Sequence, residues 1–398
     1  MKFMGANENT ILSINGGSSS FKFSLYRADQ YFTPLLHGQV ENIASGKSIL
    51  HYSVSDHVSD SIAIPASEQH DIIKFFIGWL EKQEGFAYVK AIGHRIVHGM
   101  KHTKPERITP EFLDELKKII LYDTEHLPAE IKMIEVFKTK FPALIQIACF
   151  DTSFHTSMPV VSKLLPIPRR YYENGIQRYG FHGLSYSYLM DQLTKLSGST
   201  IINEKIILAH LGNGASLAAI KDGKSFDTSM GFTPTGGIPM STRTGDLDPG
   251  VAAYLMQHEK LTPPKFNHLI NHESGLFGIS ETNSDMRGLL KLRATDIRAA
   301  EAIELFCYQT KKWIGAFAAA LGGLDTIVFS GGIGENSFEV REKICTGLEF
   351  LGIELDVLKN KINDAVISSA KSKITVRVIK TNEELMIAKL VCSMLNSP

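Results

Sequence analysis

At 398 residues, 43% of them hydrophobic, the chain is longer than one core usually serves, so two domains are the first expectation. Forty-two Lys and Arg balance forty-two Asp and Glu, which removes any overall pull toward nucleic acid or an anionic membrane and makes any anion site a local one. Cys149, Cys307, Cys345 and Cys392 have neither paired nor metal-like spacing, the first ten residues lack an apolar core, and no apolar run approaches eighteen residues, so the reading is a cytoplasmic protein with reduced thiols and no membrane span.

Ile11, Leu12 and Ile14 lead into a Gly- and Ser-rich stretch, and Phe21, Phe23 and Leu25 alternate beyond it, which predicts a strand, a reversal and a second strand. Gly16 and Gly17 let backbone N–H groups approach an anion, Ser18 and Ser20 add hydroxyls, and Lys22 adds a charge. No helix follows directly, so this is a phosphate hairpin and not a P-loop. A polar, alternating region to about Ile64 suits further strands. Ser67 is expected to cap a helix with Ile72, Ile73, Phe76, Ile77 and Leu80 on one face. Residues 91–99 read as a short strand ending in a glycine turn and carrying His94, Arg95 and His98. The two histidines have the spacing of a helical metal pair but no third ligand nearby, and hydrogen-bonded strand-end histidines are the simpler reading. Helices are expected over 110–121 and 128–138. A buried strand over 145–150 then delivers Asp151 at its carboxyl end, where open α/β sheets place ligand groups.

In the second half a loop over 179–185 opens a helix to about 196. Residues 206–220 repeat the first hairpin: an apolar strand, a turn of Gly212, Asn213 and Gly214, then Ser216 and another apolar strand. Gly16-x-x-x-Ser20 and Gly212-x-x-x-Ser216 align, which suggests a duplicated domain with a nucleotide phosphate tail held between the copies. Residues 227–249 have no regular period, and so long an irregular stretch points to function, with Arg243 as its candidate. After the longest helix (299–321), a strand over 326–330 runs into Gly331-Gly332-Ile333-Gly334-Glu335-Asn336, a nucleotide-type arrangement. A last strand (374–379) leads to Thr381-Asn382-Glu383-Glu384, whose capping-box pattern starts the terminal helix.

Ten motifs, NGGSSSFKF, GHRIVHG, FDTSFHTSMP, YGFHGLS, HLGNGASLAAI, DTSMGFTP, TRTGDLDP, SDMR, FSGGIGENS and TNEEL, occur in one order over almost the full length. On these the chain resembles acetate kinase and the related short-chain acyl kinases. The resemblance implies an α/β fold of two duplicated domains of the actin, sugar kinase and heat-shock ATPase (ASKHA) type with a central cleft. The chain path then gives an N-terminal acyl-kinase lobe, 1–150 plus 384–398, and a C-terminal nucleotide-binding lobe, 151–383. Carried over by position, Asp151, His182 and Arg243 would be catalytic, Arg95 would bind the carboxylate, and Val97, Phe181 and Pro234 would line a small acyl pocket. Nucleotide contacts map to Lys22, His210, Leu211, Gly212, Asn213, Gly214, Asp285, Met286, Arg287, Gly332, Ile333, Gly334, Glu335 and Asn336, and the place of Ser18 and Ser20 beside Lys22 adds them as phosphate contacts. Asn15 and Glu383 map to magnesium-associated positions, with Mn²⁺ as the alternative ion. Implied partners are ATP or ADP, a short-chain carboxylate or acyl phosphate, and a second copy in a homodimer, without nucleic acid or membrane.

The chemistry suits these residue types. Moving a phosphoryl group between two anions calls for neutralisation and alignment, which Arg95, Arg243 and His182 can supply. A carboxylate acceptor is already ionised at neutral pH, so Asp151 is expected to orient Mg²⁺ or Arg95 and not to act as a base. The chain departs from the family pattern over 123–128, where only His126 and Pro128 survive and Glu125 stands where an apolar residue is usual, and it has Tyr186 for a histidine and Met100 for a glycine. Either Glu125 points away from the pocket or the accepted acid differs. Acetate leads, propionate and butyrate follow, and a non-catalytic nucleotide-binding protein of the same fold would have no use for the Arg95, Asp151, His182 and Arg243 set.

Overall fold

A computed structural model describes residues 9–17, 20–43, 46–54 and 58–396. It divides into a first unit, Met1–Ser153 with Asn382–Pro398, and a second unit, Phe154–Thr381. Asp151 and Glu383 therefore fall in the first unit, whereas boundaries at 150/151 and 383/384 assign them to the second. The reason is local. The Asp151 N–H donates to the Ile96 carbonyl and its carboxylate meets Arg95, while Glu383 opens a helix that packs on the first sheet.

In the first unit β1 (Thr10–Gly16), β2 (Phe21–Arg27), β3 (Pro34–Glu41), β4 (Ile49–Val54) and β5 (Val58–Ala63) form an antiparallel meander. On the other side of β1 lie β6 (Val89–Ile96), parallel to it, then β8 (Ile145–Phe150), with β7 (Glu106–Arg107) at the edge. The second unit is built from β9 (Ile206–Leu211), β10 (Ala215–Lys221), β11 (Lys224–Thr228), β12 (Thr326–Ser330) and β13 (Thr375–Val378), in the order β11-β10-β9-β12-β13. The run β3-β2-β1-β6-β8 has the same plan. In each, a three-stranded meander is extended by two strands parallel to its first member, so the hairpin repeat seen in the sequence marks a repeated sheet.

Alternation along β1 and β2 turns Leu12, Ile14, Phe21, Phe23 and Leu25 into one core with Ile72, Ile73, Phe76, Ile77 and Leu80 of the helix Gln69–Leu80. The Phe21 and Phe76 rings meet edge to face at 4.9 Å. That helix is preceded by Glu68, whose side chain makes no capping bond, so Ser67 is not its cap. In the second unit Tyr186, Leu189 and Leu193 of the helix Gly183–Ser197 pack with Ile206, Leu208, Ala218, Ile220 and Val328.

Two helices are exchanged relative to chain order. Gly183–Ser197 follows the first unit's last strand but covers the second sheet; Glu383–Asn396 follows β13 but packs on β1, β2 and β6. Asn382 Oδ1 accepts the Leu385 N–H at 2.8 Å at the start of the latter helix, while the Thr381 hydroxyl pairs with Ser185. The cap is thus the asparagine and not a box built on Thr381. Ile387, Ala388 and Val391 are fully buried there, and a buried aliphatic side chain is worth about 1.5–3 kcal/mol. The helix sits so close to β6 that a Cβ at Gly93 would lie 2.3 Å from Ile387 Cγ2 and 2.6 Å from Val391 Cγ2. Gly93→Val is accordingly expected to destabilise the first unit by about 2 kcal/mol or more through overpacking. Urea unfolding followed by circular dichroism checks this, and an unchanged midpoint would contradict the seating of the helix on Gly93.

Candidate active site

The side chains that the sequence marks as candidates form two groups, one in each unit. In the first, Arg95 is the penultimate residue of β6 and Asp151 follows β8. These strands are parallel neighbours in register at Arg95 and Cys149, so both side chains emerge at the carboxyl ends of adjacent strands. Arg95 Nε and Nη2 donate to Asp151 Oδ2 at 2.9 and 2.6 Å, and Nη1 donates to Asn15 Oδ1 at 3.1 Å. The Asp151 side chain is fully buried and that of Arg95 is 16% exposed. Burial opposes the charge on Arg95, but the carboxylates of Asp151, Glu383 and Glu130 outweigh it and hold the guanidinium protonated above its ordinary range. A guanidinium has five N–H donors and these bonds use three, which leaves one on each terminal nitrogen for an incoming anion.

Asn15, at the end of β1, also donates from Nδ2 to Glu383 Oε2 at 2.7 Å and to Glu384 Oε1 at 3.0 Å. Two carboxylates thus converge beside the hairpin tip. Among the described residues no three His, Cys, Asp or Glu side chains are grouped as a metal cage. Magnesium does not need one, because it is commonly held by one or two carboxylates, water and phosphate oxygens. Glu383 and Glu384 fit that requirement; the Asn15 oxygen is engaged by Arg95. At the hairpin itself Gly17 N–H donates to the Ser20 carbonyl at 2.8 Å, Lys22 pairs across from Asn15, and Lys22 and Ser20 are exposed. Ser18 lies outside the described residues.

Val97, buried at 1% exposure, follows β6 and donates its N–H to both oxygens of Glu130, at 3.2 and 3.3 Å. Asp123 Oδ1 accepts both the ring Nδ1 of His126 at 2.9 Å and its N–H at 3.1 Å. Burial raises the Asp123 pKa, and these contacts more than reverse that, leaving it below the usual value. Sequence reading missed Glu130, Glu384 and Asp123; the Asp-x-x-His spacing was the one available signal. Glu125 is only partly buried, which removes the cost of a fully buried charge at that position. His94 bonds Gln146 Oε1 at 2.7 Å, and His98 Nδ1 accepts the Met100 N–H at 3.2 Å, so both strand-end histidines have hydrogen-bonding roles.

In the second unit the β9–β10 turn is the centre. His182 has a left-handed backbone (φ 58°) at the start of the helix Gly183–Ser197, its Nδ1 is 2.8 Å from Ser216 Oγ, and that hydroxyl is 2.5 Å from Tyr186 Oη. Tyr186, set where a histidine was expected, is therefore a buried partner of the hairpin serine. The His182 ring stacks on His210 at 4.3 Å, and His210 Nδ1 lies 2.8 Å from Ser185 Oγ. A Cβ on Gly214 would lie 3.1 Å from His182 Nε2 and 3.8 Å from Arg243 Nη1, so the glycine sits between the two groups expected to face the phosphoryl oxygens. Arg243 Nη1 donates to the carbonyl of buried Pro234 at 3.1 Å.

The loop that carries Arg243 is irregular but tied. Met240 N–H donates to the Arg243 carbonyl, Thr244 N–H to Ile270, and Asp246 N–H to Gly237, which returns its own N–H to the Asp246 carboxylate. A Cβ on Gly275 would be 2.1 Å from the Met240 carbonyl oxygen, which only glycine avoids. Gly332 N lies 3.8 Å from a Cβ placed on Gly212, so the second glycine segment adjoins the hairpin turn; Leu211 and Asn213 flank that contact. The helix already begins at Gly331, so Gly332, Ile333, Gly334, Glu335 and Asn336 belong to it and not to a turn before it. Glu335 Oε1 accepts the N–H groups of Gly331 and Thr381 at 2.9 and 3.0 Å, which makes it a brace for this segment. Asp285 caps the helix Met286–Leu292, and exposed Arg287 folds back onto it at 2.6 Å, while Met286 is buried. Phe181 is buried, and its carbonyl lies 3.0 Å from His155 Nε2.

The model of the acetokinase family matches residues 10–389. An acetate kinase from Methylocella silvestris is 40% identical over 97% of this chain and 98% of its own. Among solved structures, Porphyromonas gingivalis acetate kinase superimposes with a TM-score of 0.86 at 36% identity over 98% of this chain and all of its own. A propionate kinase from Francisella tularensis gives 0.90 at 36% identity, over 96% and 98%. The chain belongs to the acetokinase family.

His94 and His155 are both buried, and burial lowers each pKa to about 4. Unfolded, each has a pKa near 6.5. The unfolded chain therefore takes up protons that the folded chain refuses, so their stabilising contribution is complete above about pH 6.5 and lost as pH falls toward 4. Chemical denaturation between pH 7.5 and 5 is expected to show falling stability. NMR titration checks the cause: rings of His94 and His155 that protonate near pH 6.5 in the folded protein would refute it.

Proposed function

We propose that this family member is an acetate kinase, which reversibly transfers the γ-phosphoryl group of ATP to acetate and yields acetyl phosphate and ADP. The observation that carries the reading is the Arg95–Asp151 pair: a buried guanidinium fixed by a carboxylate on one edge, with donors left over for a second anion. A planar fork suits a carboxylate better than a point charge does. In this reading Arg95 of the first unit handles the acid, and most of the nucleotide groups belong to the second unit.

An acetate oxygen forms the new bond to the γ-phosphorus in line with the departing oxygen, and the broken bond leaves its electron pair on ADP. Acetate brings no proton that needs removal at neutral pH, so Asp151 serves to orient Arg95. His182 is held through Nδ1 by Ser216, which leaves Nε2 beside Gly214 together with Arg243 Nη1. Arg243 supplies positive charge, and His182 a ring nitrogen, to the phosphoryl oxygens as the bond to ADP loosens. The Gly212–Asn213–Gly214 turn, the Gly332–Asn336 segment, the start of the helix at Asp285, and Ser18, Ser20 and Lys22 of the first hairpin are assigned to the nucleotide. Magnesium near Glu383 and Glu384 would supply charge neutralisation on the phosphates.

Propionate is the second candidate acid, favoured by the close structural likeness to the Francisella propionate kinase. The working form is taken to be a cytoplasmic homodimer, for which light scattering is the check; the buried free thiols Cys149, Cys307 and Cys345 suit a reducing compartment.

A hydroxamate assay with acetate, propionate and butyrate is expected to give ATP-dependent acyl phosphate with the highest kcat/KM for acetate. Arg243→Ala should lower kcat by about 10³-fold with an unchanged melting temperature. Acyl phosphate absent with every acid, or Arg243→Ala fully active, would overturn the proposal. In the same assay Glu125→Leu should change the ranking of the three acids if Glu125 borders the acyl group; an unchanged ranking removes it from the pocket.

A further inference from the structure

Glu130 is a buried acid with no part in the reaction described above. It lies in the helix Leu127–Lys140 at 3% exposure, and both carboxyl oxygens accept the same donor, the N–H of Val97. That donor has a specific problem. The ladder between β1 and β6 ends at Ile14 and His94, and the ladder between β6 and β8 ends at Ile96 and Phe150. Val97 is the first residue past both, and it is buried, so neither neighbouring strand is in register to accept its N–H. A buried N–H left without an acceptor is costly. A side chain from a separate helix therefore replaces the absent strand.

We infer that Glu130 is a positioning residue for the acid substrate, pinning the Val97 backbone and through it the adjoining Arg95. The inference rests on the assignment of Arg95 and Val97 to the acid. Three surroundings tie the side chain to the site and not to bulk packing. Its Cγ is 3.9 Å from a Cβ built on Gly16, so it also abuts the tip of β1 beside Asn15. Arg95, Asp151 and Asp123 all act on it electrostatically. Burial, helped by Asp123 and Asp151, raises its pKa well above the usual carboxyl value against the pull of Arg95 and the Val97 N–H. An acid in such a place is an expensive way to fill space, since an apolar side chain of similar volume would avoid the desolvation. What it provides is reach: an acceptor carried across from the helix to one particular N–H.

Reach and charge are separable by two conservative variants. Glu130→Gln keeps an acceptor at the same distance without the charge. Glu130→Asp keeps the carboxyl but withdraws it by one methylene. KM for acetate is expected to rise about 10-fold or more in Glu130→Asp and to stay within about 3-fold of the parent in Glu130→Gln, since small misplacements at a reacting centre are costly. In both, kcat and the KM for ATP should move by less than about 3-fold, a split that general loosening of the fold would not give. The acetate-to-propionate ratio of kcat/KM should shift in Glu130→Asp alone, because Val97 is the moved wall. Thermal melts establish that each variant is folded, and if Glu130→Asp is not, a Glu130→Gln enzyme with acetate KM raised more than about 10-fold still overturns the inference. So does a folded Glu130→Asp enzyme with the parent's acetate KM, or one whose ATP and acetate constants worsen together. A parent protein that forms no acyl phosphate overturns the functional assignment instead, so the two failures are distinct.

Discussion

The first unit depends on one buried ion pair. Taking a guanidinium and a carboxylate out of water is unfavourable for each, and their mutual attraction offsets this only when geometry is good and the remaining polar atoms are served. Here the geometry comes from two parallel strands that end side by side, which places Arg95 and Asp151 at adjacent carboxyl termini before any side chain chooses a rotamer. Asn15 extends the pair to β1 and, through its other atom, to Glu383 and Glu384. Three strands and a distant helix are thereby committed to one charge arrangement. A pair of this kind is poor value as a source of stability and makes sense as a fixed electrostatic instrument.

The second unit solves a related problem with space instead of charge. Its hairpin turn carries a glycine where any Cβ would press on His182, and the strained left-handed backbone of His182 is what brings the ring to that turn. Ser216 and Tyr186 then fix the ring from behind, and the stacked His210 from the side. The irregular Arg243 loop is held by backbone bonds across its own neck and by the space that Gly275 leaves for it. Lack of regular secondary structure is not looseness here, since Gly237, Met240, Ser241, Thr244 and Asp246 each donate their N–H to a named acceptor.

Features governed by local chemistry were legible in the sequence. Both hairpins announced themselves through glycine at the reversal and alternation in the flanking strands, and the long helix and the strand before Asp151 followed from apolar periodicity. Caps were harder, because Ser67 and Thr381 are as suitable chemically as the residues that occupy the positions, and only the backbone path decides between them. The Val97–Glu130 contact spans thirty-three residues and pairs a backbone donor with an acid of unremarkable context, so nothing in the sequence singles it out. The two units divide at 153/154 and 381/382, a few residues from the boundaries read in the sequence: a strand's last apolar residue looks like an ending, yet Asp151 is held by the neighbouring strand's carbonyl.

The exchanged helices have a consequence for biosynthesis. On the ribosome, β1 to β8 emerge early, but the segment that seals Gly93 and its neighbours is translated only after the whole of the second unit. During that interval the nascent sheet lacks Ile387, Ala388 and Val391, the side chains the last helix buries against it, and an uncovered sheet face is the kind of surface that chaperones and aggregates both recognise. A premature stop anywhere upstream of Asn382 would strand the first unit in that unfinished condition.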